Sequence, residues 1–398
     1  MNAIKSEHRD RQTKEGFGPL ALTLIIICAV LFIVFCGWLS IRLNILGYNP
    51  KNSDSYVFTE RSGPYYERLD SREKVIYKAV VSAAEQLLGR TEILETGLAE
   101  SEFENVMLAI RYDEAALFYL DTFGCSAETS EKNSVVKLKY KTDGQTADKM
   151  TGELKAAAQE LIGDLGNDLT DVEYILAIHD RLIASCEKAD TKKQSKFVSS
   201  VYGAVVEKKA DAAGYAFAMR YLLGSVGLQC AVVFGEAEGQ SHAWNAVRAE
   251  GEFYYTDVYF DDPDSSTNPA LPIHAFFMTS NGEAEAKALP GRALDPDSFS
   301  FESSGKYDYY SDKGYRVTKA ESLKGIINNA VNETDKENRS FIEIAVPEDT
   351  DPNLLVETVI SVIKTHNRDT VAFVSKLLPE ARVFSTGRDG YYTIQLFR

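Results

Sequence analysis

The residues best suited to chemistry lie between Ser241 and Val258. Two runs that alternate in the manner of strands, SHAWNAVRA (241–249) and EFYYTDV (252–258), flank Glu250-Gly251, and this spacing predicts a tight hairpin. With the turn placed there, Trp244 falls opposite Asp257. His242, two residues along on the same face, is then diagonal to Asp257, ~7–8 Å away at the backbone and within reach of side chains leaning together. An imidazole oriented by a carboxylate is the base-and-orienter half of a nucleophilic triad. From these residues alone, a surface His–Asp pair is the plainer reading.

The wider text changes that. KADAAGYAFAMRYLLGSVGLQC (209–230) and SHAWNAVRAEGEFYYTDVYFDDP (241–263) resemble the transglutaminase-like superfamily. Its pattern runs Cys-x-Gly-Tyr-Ala, then His-Ala-Trp-Asn, then Trp-Tyr-x-x-Asp-x-Thr-x-Asp-Asp-Pro. Gly214-Tyr215-Ala216 matches the first element and His242-Ala243-Trp244-Asn245 the second. Phe253-Tyr254, Asp257 and Asp261-Asp262-Pro263 match the third, with Phe253 in place of Trp and Tyr259 in place of Thr. YYERLDSREKVIYKAV (65–80), TDVEYILAIHDRLI (170–183) and IHAFFM (273–278) are similar to bacterial members. The resemblance spans about residues 63–315 and is densest over 173–263. It implies a papain-like core in which a Cys at a helix N-terminus meets a His and an Asp on adjacent strands.

Two residues before Gly214, where the pattern carries its cysteine, stands Ala212. The implied chemistry needs a thiol there, made acidic by the helix N-terminus and the His, to attack an amide carbonyl and form an acyl-enzyme. A methyl group cannot do this. Cys230 lies in an apolar run and Cys186 near the end of another helix, so neither is expected beside His242, and Asp211 is a poor acyl acceptor. The chain is expected to be catalytically silent. Two histories fit: a non-catalytic member keeping its cleft for a peptide-like or cell-wall ligand, or a cysteine peptidase, amidase or acyl transferase in a Cys-to-Ala form. In both, the site comprises the dyad His242 and Asp257, Ala212 at the nucleophile position, and a cleft of Gly214, Tyr215, Trp244, Asn245 and Tyr254.

The elements that must position these residues follow from periodicity. Helices are expected from Asp70 or Ser71, from Ser101 with Glu104 closing a capping box, and at about 147–164, 171–186 and 213–224. Strands are expected at 135–140 and 229–235. The expected fold class is α+β: a transmembrane helix, a core of helices on an antiparallel sheet, and a small C-terminal α/β module. That module, 316–398, should hold a helix near 318–331, a strand at 341–346, a helix at 352–366 and a hairpin around Asp389-Gly390. His179 falls among apolar positions in IHDRL, which suits a core or capping histidine.

Leu20 to Ile41 is 22 residues without a charge, ~33 Å of helix and enough to cross a ~30 Å hydrocarbon core. Lys5, Arg9, Arg11 and Lys14 precede it, while Arg42 and Lys51 follow, which puts the N-terminus in the cytoplasm. The expected organisation is a cytoplasmic tail (1–19), a signal-anchor helix (20–41), a linker (42–62), a domain at 63–315 in a bacterial cell envelope, and the module. With 43 Lys+Arg against 59 Asp+Glu and a net charge of -16, the chain would repel nucleic acid. The expected partners are the membrane, a peptide-like or cell-wall ligand, or an envelope protein. No cofactor or metal is expected: His8, His179, His242, His274 and His366 are scattered, and the carboxylates of 257–264 lack EF-hand spacing, as suits a structural turn. Cys125, Cys186 and Cys230 allow one disulfide or three buried thiols.

Overall fold

Apolar residues recurring at helical spacing from Asp70 onward need a covered face, and the fold supplies it in chain order. The computed structural model describes residues 31–32, 63–93, 97–129, 134–166, 168–189, 195–237, 239–263, 273–280, 287–288, 305–369, 377–386 and 388–398. The expected membrane span lies outside these except for 31–32, and among the described residues no helix is long and apolar enough to cross a membrane.

Helix α1 (Ser71–Glu85) starts where expected, with Asp70 and Glu73 closing a reciprocal capping box. Strand β1 (Arg90–Ile93) and helix α2 (Glu100–Asp113) follow. Helix α2 begins just before the predicted Ser101, because Glu102 rather than Glu104 reaches back, to the Ala99 N–H. Strands β2 (Ser126–Thr129) and β3 (Ser134–Lys137) join β1 in an antiparallel sheet of order β1-β3-β2. Helices α3 (Gly144–Ile162) and α4 (Asp171–Ser185) agree with the periodicity to within three residues. The two-residue strand β4 (Glu187–Lys188) pairs in parallel with β5 (Lys209–Ala210), and the short helix α5 (Val201–Val205) lies between them.

Helix α6 (Ala212–Ser225) is buried continuously from Gly214 to Gly224, which is why its sequence is apolar all round. It packs on β6 (Cys230–Ala237) and β7 (Gln240–Ala249), with α4 against it. At its start a Cβ on Gly214 would come 2.4 Å from the Val198 carbonyl oxygen, so only glycine permits this approach. Strand β7 pairs with β8 (Glu252–Thr256) in the predicted register, Asn245 opposite Thr256 and Ala249 opposite Glu252. Glu250 and Gly251 turn the chain with φ of 50° and 88°, both left-handed, as a tight hairpin requires. The one-turn helix α7 (Val258–Asp261) follows, and β9 (Lys287–Ala288) completes an antiparallel sheet of order β8-β7-β6-β9.

The remaining elements are α8 (Tyr309–Asp312), α9 (Leu323–Lys336), β10 (Phe341–Ala345), α10 (Pro352–Asp369), β11 (Ala381–Ser385) and β12 (Tyr391–Leu396). The strands form an antiparallel sheet of order β10-β12-β11. Helix α9 starts five residues later than predicted, because its buried stripe is Leu323, Ile327, Ala330, Val331 and Thr334. The described residues are thus an α+β mix of helices and mainly antiparallel sheets. All three cysteines beyond the span are buried free thiols, the second of the two alternatives.

One charge interrupts α6, and the fold neutralises it. Arg220 pairs with Asp113 at 3.3 Å and donates from Nε to the Asp113 carbonyl at 3.1 Å. The Asp113 carboxylate also accepts the backbone N–H groups of Tyr65 (3.1 Å) and Tyr66 (2.7 Å). Burial raises its carboxyl to about 6, against the pull of Arg220 and these N–H donors. Asp113→Ala would strand a buried guanidinium and is expected to cost about 3–5 kcal/mol, read as a lowered urea midpoint with little change in slope.

Candidate functional site

Strand β7 ends its pairing with β8 at Asn245–Thr256, and the chain then leaves the ladder into α7 with Asp257 as its cap. That departure brings Asp257 to His242: Nε2 of the imidazole lies 2.6 Å from Oδ2. The other carboxylate oxygen accepts the Phe260 N–H at 3.1 Å, and the Asp257 N–H donates to the Phe276 carbonyl at 3.1 Å. The carboxylate is thereby held at both oxygens, and the residue's backbone is anchored as well. With Asp257 as acceptor, the proton sits on Nε2 and the lone pair on Nδ1, which has no hydrogen-bond partner among the described residues. This is the tautomer a general base needs.

Both residues are mostly buried. The Phe260 ring stacks on the imidazole at 4.3 Å, with Trp244 at 6.1 Å and Tyr259 at 5.8 Å. Tyr259 also meets Tyr215 of α6 edge-on at 5.7 Å, and Lys188 lies over its face at 4.6 Å. Ala212 opens α6 as its first residue, behind a cap in which Asp211 accepts the Gly214 N–H at 3.0 Å. The methyl thus stands where helical N–H groups and the dipole would favour an anion.

The residues expected to line the cleft are instead packed into the core. Tyr215 and Tyr254 are each 1% exposed and turn their hydroxyls to Asp262 and Glu252. Asn245 donates to the Ala216 carbonyl at 2.9 Å, tying β7 to α6. Gly214 is closed off by Val198, and Trp244 is 2% exposed. Of these five, Trp244 also lies beside the His242 ring. The indole Nε1–H of Trp244 has no acceptor among the described residues. A cavity of about 840 Å³ between α2 and β2, lined by Phe103, Arg111 and Phe123 among others, includes none of the site residues.

None of the three cysteines among the described residues is poised as a nucleophile. Burial pushes Cys186 and Cys230 up to about 12 and raises Cys125, so all three stay protonated and poorly nucleophilic. Cys186 lies beside Tyr215 and Asp262.

A second polar cluster escaped the sequence reading. His179, fully buried on α4, lies 2.9 Å from Asp180 through Nδ1 and 3.1 Å from Asp261 through Nε2. His274 lies 2.9 Å from the same Asp180 oxygen through Nε2 and 2.6 Å from Glu343 of β10 through Nδ1. Burial alone would lower both histidines, but their carboxylate partners outweigh it, raising His179 and bringing His274 to about 10. Burial lifts Asp261 to about 6, while the two histidines hold Asp180 well below the usual carboxylate range despite its burial. The available signal was an ionisable residue inside each apolar run: His179-Asp180 in IHDRL, His274 in IHAFFM, Glu343 in FIEIAV.

No family model and no curated protein matches the chain. Matching solved structures include a suspected cysteine protease from Cytophaga hutchinsonii, 13% identical over 34% of this chain and 61% of that one, TM-score 0.23. Another is described as a TGase, 13% identical over 42% and 50%, TM-score 0.25. A third is a suspected protease from Parabacteroides distasonis, 9% identical over 69% and 62%, TM-score 0.22. The chain spans less than two thirds of each, and the structural neighbours are transglutaminase-like and cysteine-protease folds at low identity.

Asp257 serves two elements, and its variants should separate them. Asp257→Ala removes the cap of α7 and the partner of His242, and is expected to cost about 2 kcal/mol. Asp257→Asn keeps an oxygen for the Phe260 N–H and should lose less than half of that, compared by urea titration.

Proposed function

We propose that this chain is a membrane-anchored, extracytoplasmic protein with a transglutaminase-like fold that holds a peptide-like or cell-wall ligand without cleaving it. One observation carries the reading: a base and its orienter stand 2.6 Å apart, while the helix start that should offer a thiol carries the methyl of Ala212. Without a nucleophile, a polarised amide has nothing to attack it, and only slow reaction with water remains. Nδ1 of His242 lacks a protein partner among the described residues, and a backbone N–H of a ligand would satisfy it. The uncharged run 20–41 would hold the chain at the membrane, with the domain on the side away from the basic tail.

The intact dyad favours a second reading, in which the chain is a disabled cysteine peptidase, amidase or acyl transferase. The two readings part on Ala212→Cys, a change of one heavy atom at a helix start. If the protein is a binder, wild type should bind cell-wall peptides in a His242→Ala-sensitive manner, and the folded Ala212→Cys variant should neither cleave nor transfer them. Rapid labelling of that variant by iodoacetamide, lost in Ala212→Cys/His242→Ala, together with amide turnover would overturn the binder in favour of the enzyme.

A further inference from the structure

The cluster around Asp180 has the parts of a transition-metal site. Asp180 Oδ1 lies 2.9 Å from both Nδ1 of His179 and Nε2 of His274, and ligand atoms of these three residues all fall within 4.8 Å of one another. Each imidazole is held from behind: His179 through Nε2 to Asp261, His274 through Nδ1 to Glu343. Glu343 is fixed in turn, accepting the His274 N–H at 3.0 Å and the Tyr310 hydroxyl at 3.2 Å. Asp261 accepts the Phe276 N–H at 2.9 Å. Two histidines, each with its outer nitrogen on a buried carboxylate and its inner nitrogen aimed at a shared third group, repeat the outer-shell arrangement of metal-ligating imidazoles.

We propose that His179, Asp180 and His274 bind a divalent transition metal ion, Zn²⁺ by preference. Two imidazoles and one carboxylate suit zinc, whereas calcium and magnesium require mostly oxygen donors. Tetrahedral bonds of about 2.0–2.1 Å set donors roughly 3.3 Å apart, so each 2.9 Å contact opens by about 0.4 Å while the two imidazole nitrogens, within 4.8 Å of one another, close toward the same spacing. The Asp180 side chain is 38% exposed while both histidines are buried, so the ion has an entrance and a water can fill the fourth position. The ligands come from α4 and from the segment at 273–280, and the outer carboxylates from α7 and β10. Metal would therefore clamp the C-terminal sheet to the helix behind the dyad, whatever the dyad does.

The test uses the full chain, stripped with a chelator and titrated with Zn²⁺ against a chromophoric competitor. One Zn²⁺ per chain is expected, with affinity reduced roughly 100-fold or more by Asp180→Asn or His274→Gln and about 10–100-fold by Glu343→Gln. His366→Gln, at a histidine held elsewhere by Asn332 and Asp335, should change nothing. Affinity unaltered by Asp180→Asn in a folded protein, or no saturable binding by wild type, would leave the cluster a purely protonic network and overturn the proposal. Wild type loaded with Co²⁺ supplies a readout independent of any variant's folding: two hyperfine-shifted imidazole N–H protons are expected, and their absence is equally decisive against the site.

Discussion

One turn of helix, α7, organises everything around it. Its cap and its last residues carry three aspartates, and each is committed to a different part of the protein. Asp257 orients His242 on β7, Asp261 receives His179 from α4 and the Phe276 N–H, and Asp262 takes the Tyr215 hydroxyl from α6. These carboxylates are buried, and a buried carboxylate without partners costs several kcal/mol. The turn is therefore stable only when strand, both helices and the 273–280 segment are all in place. Cooperativity here is a matter of charge compensation as much as of apolar burial.

The same logic explains what could be read in the sequence. Register in the β7–β8 hairpin is specified locally, by two left-handed turn positions and period-two alternation, so the pairing of Asn245 with Thr256 follows from counting, whereas Asp257 reaches His242 only after the chain has left the ladder. The start of α1 is equally local, since Asp70 and Glu73 cap each other. Helix α9 is not: its predicted start ignored that Leu323 begins the stripe facing β10, a tertiary fact. Burial of the motif residues is likewise a tertiary fact. A motif tells which residues accompany the chemistry, not which of them face solvent, and Tyr215, Asn245 and Tyr254 spend their polar atoms inside the protein.

The cluster at Asp180 shows the other limit. Asp180 and His274 are 94 positions apart, and Glu343 lies a further 69 beyond His274. No spacing rule connects residues so distant, so the histidines looked scattered. Each nonetheless left a local trace as a charged residue where an apolar one was due. Such a residue must find a partner at some distance, and several in one chain commonly find each other.

Position 212 has a standing unlike that of its neighbours. Gly214 is locked by the Val198 carbonyl and Asp211 is spent on the cap, so the backbone there is set without any help from the side chain at 212. Architecture at this helix start is thus carried by Asp211 and Gly214 and leaves position 212 open to substitution, whereas altering the aspartate turn would endanger the scaffold itself.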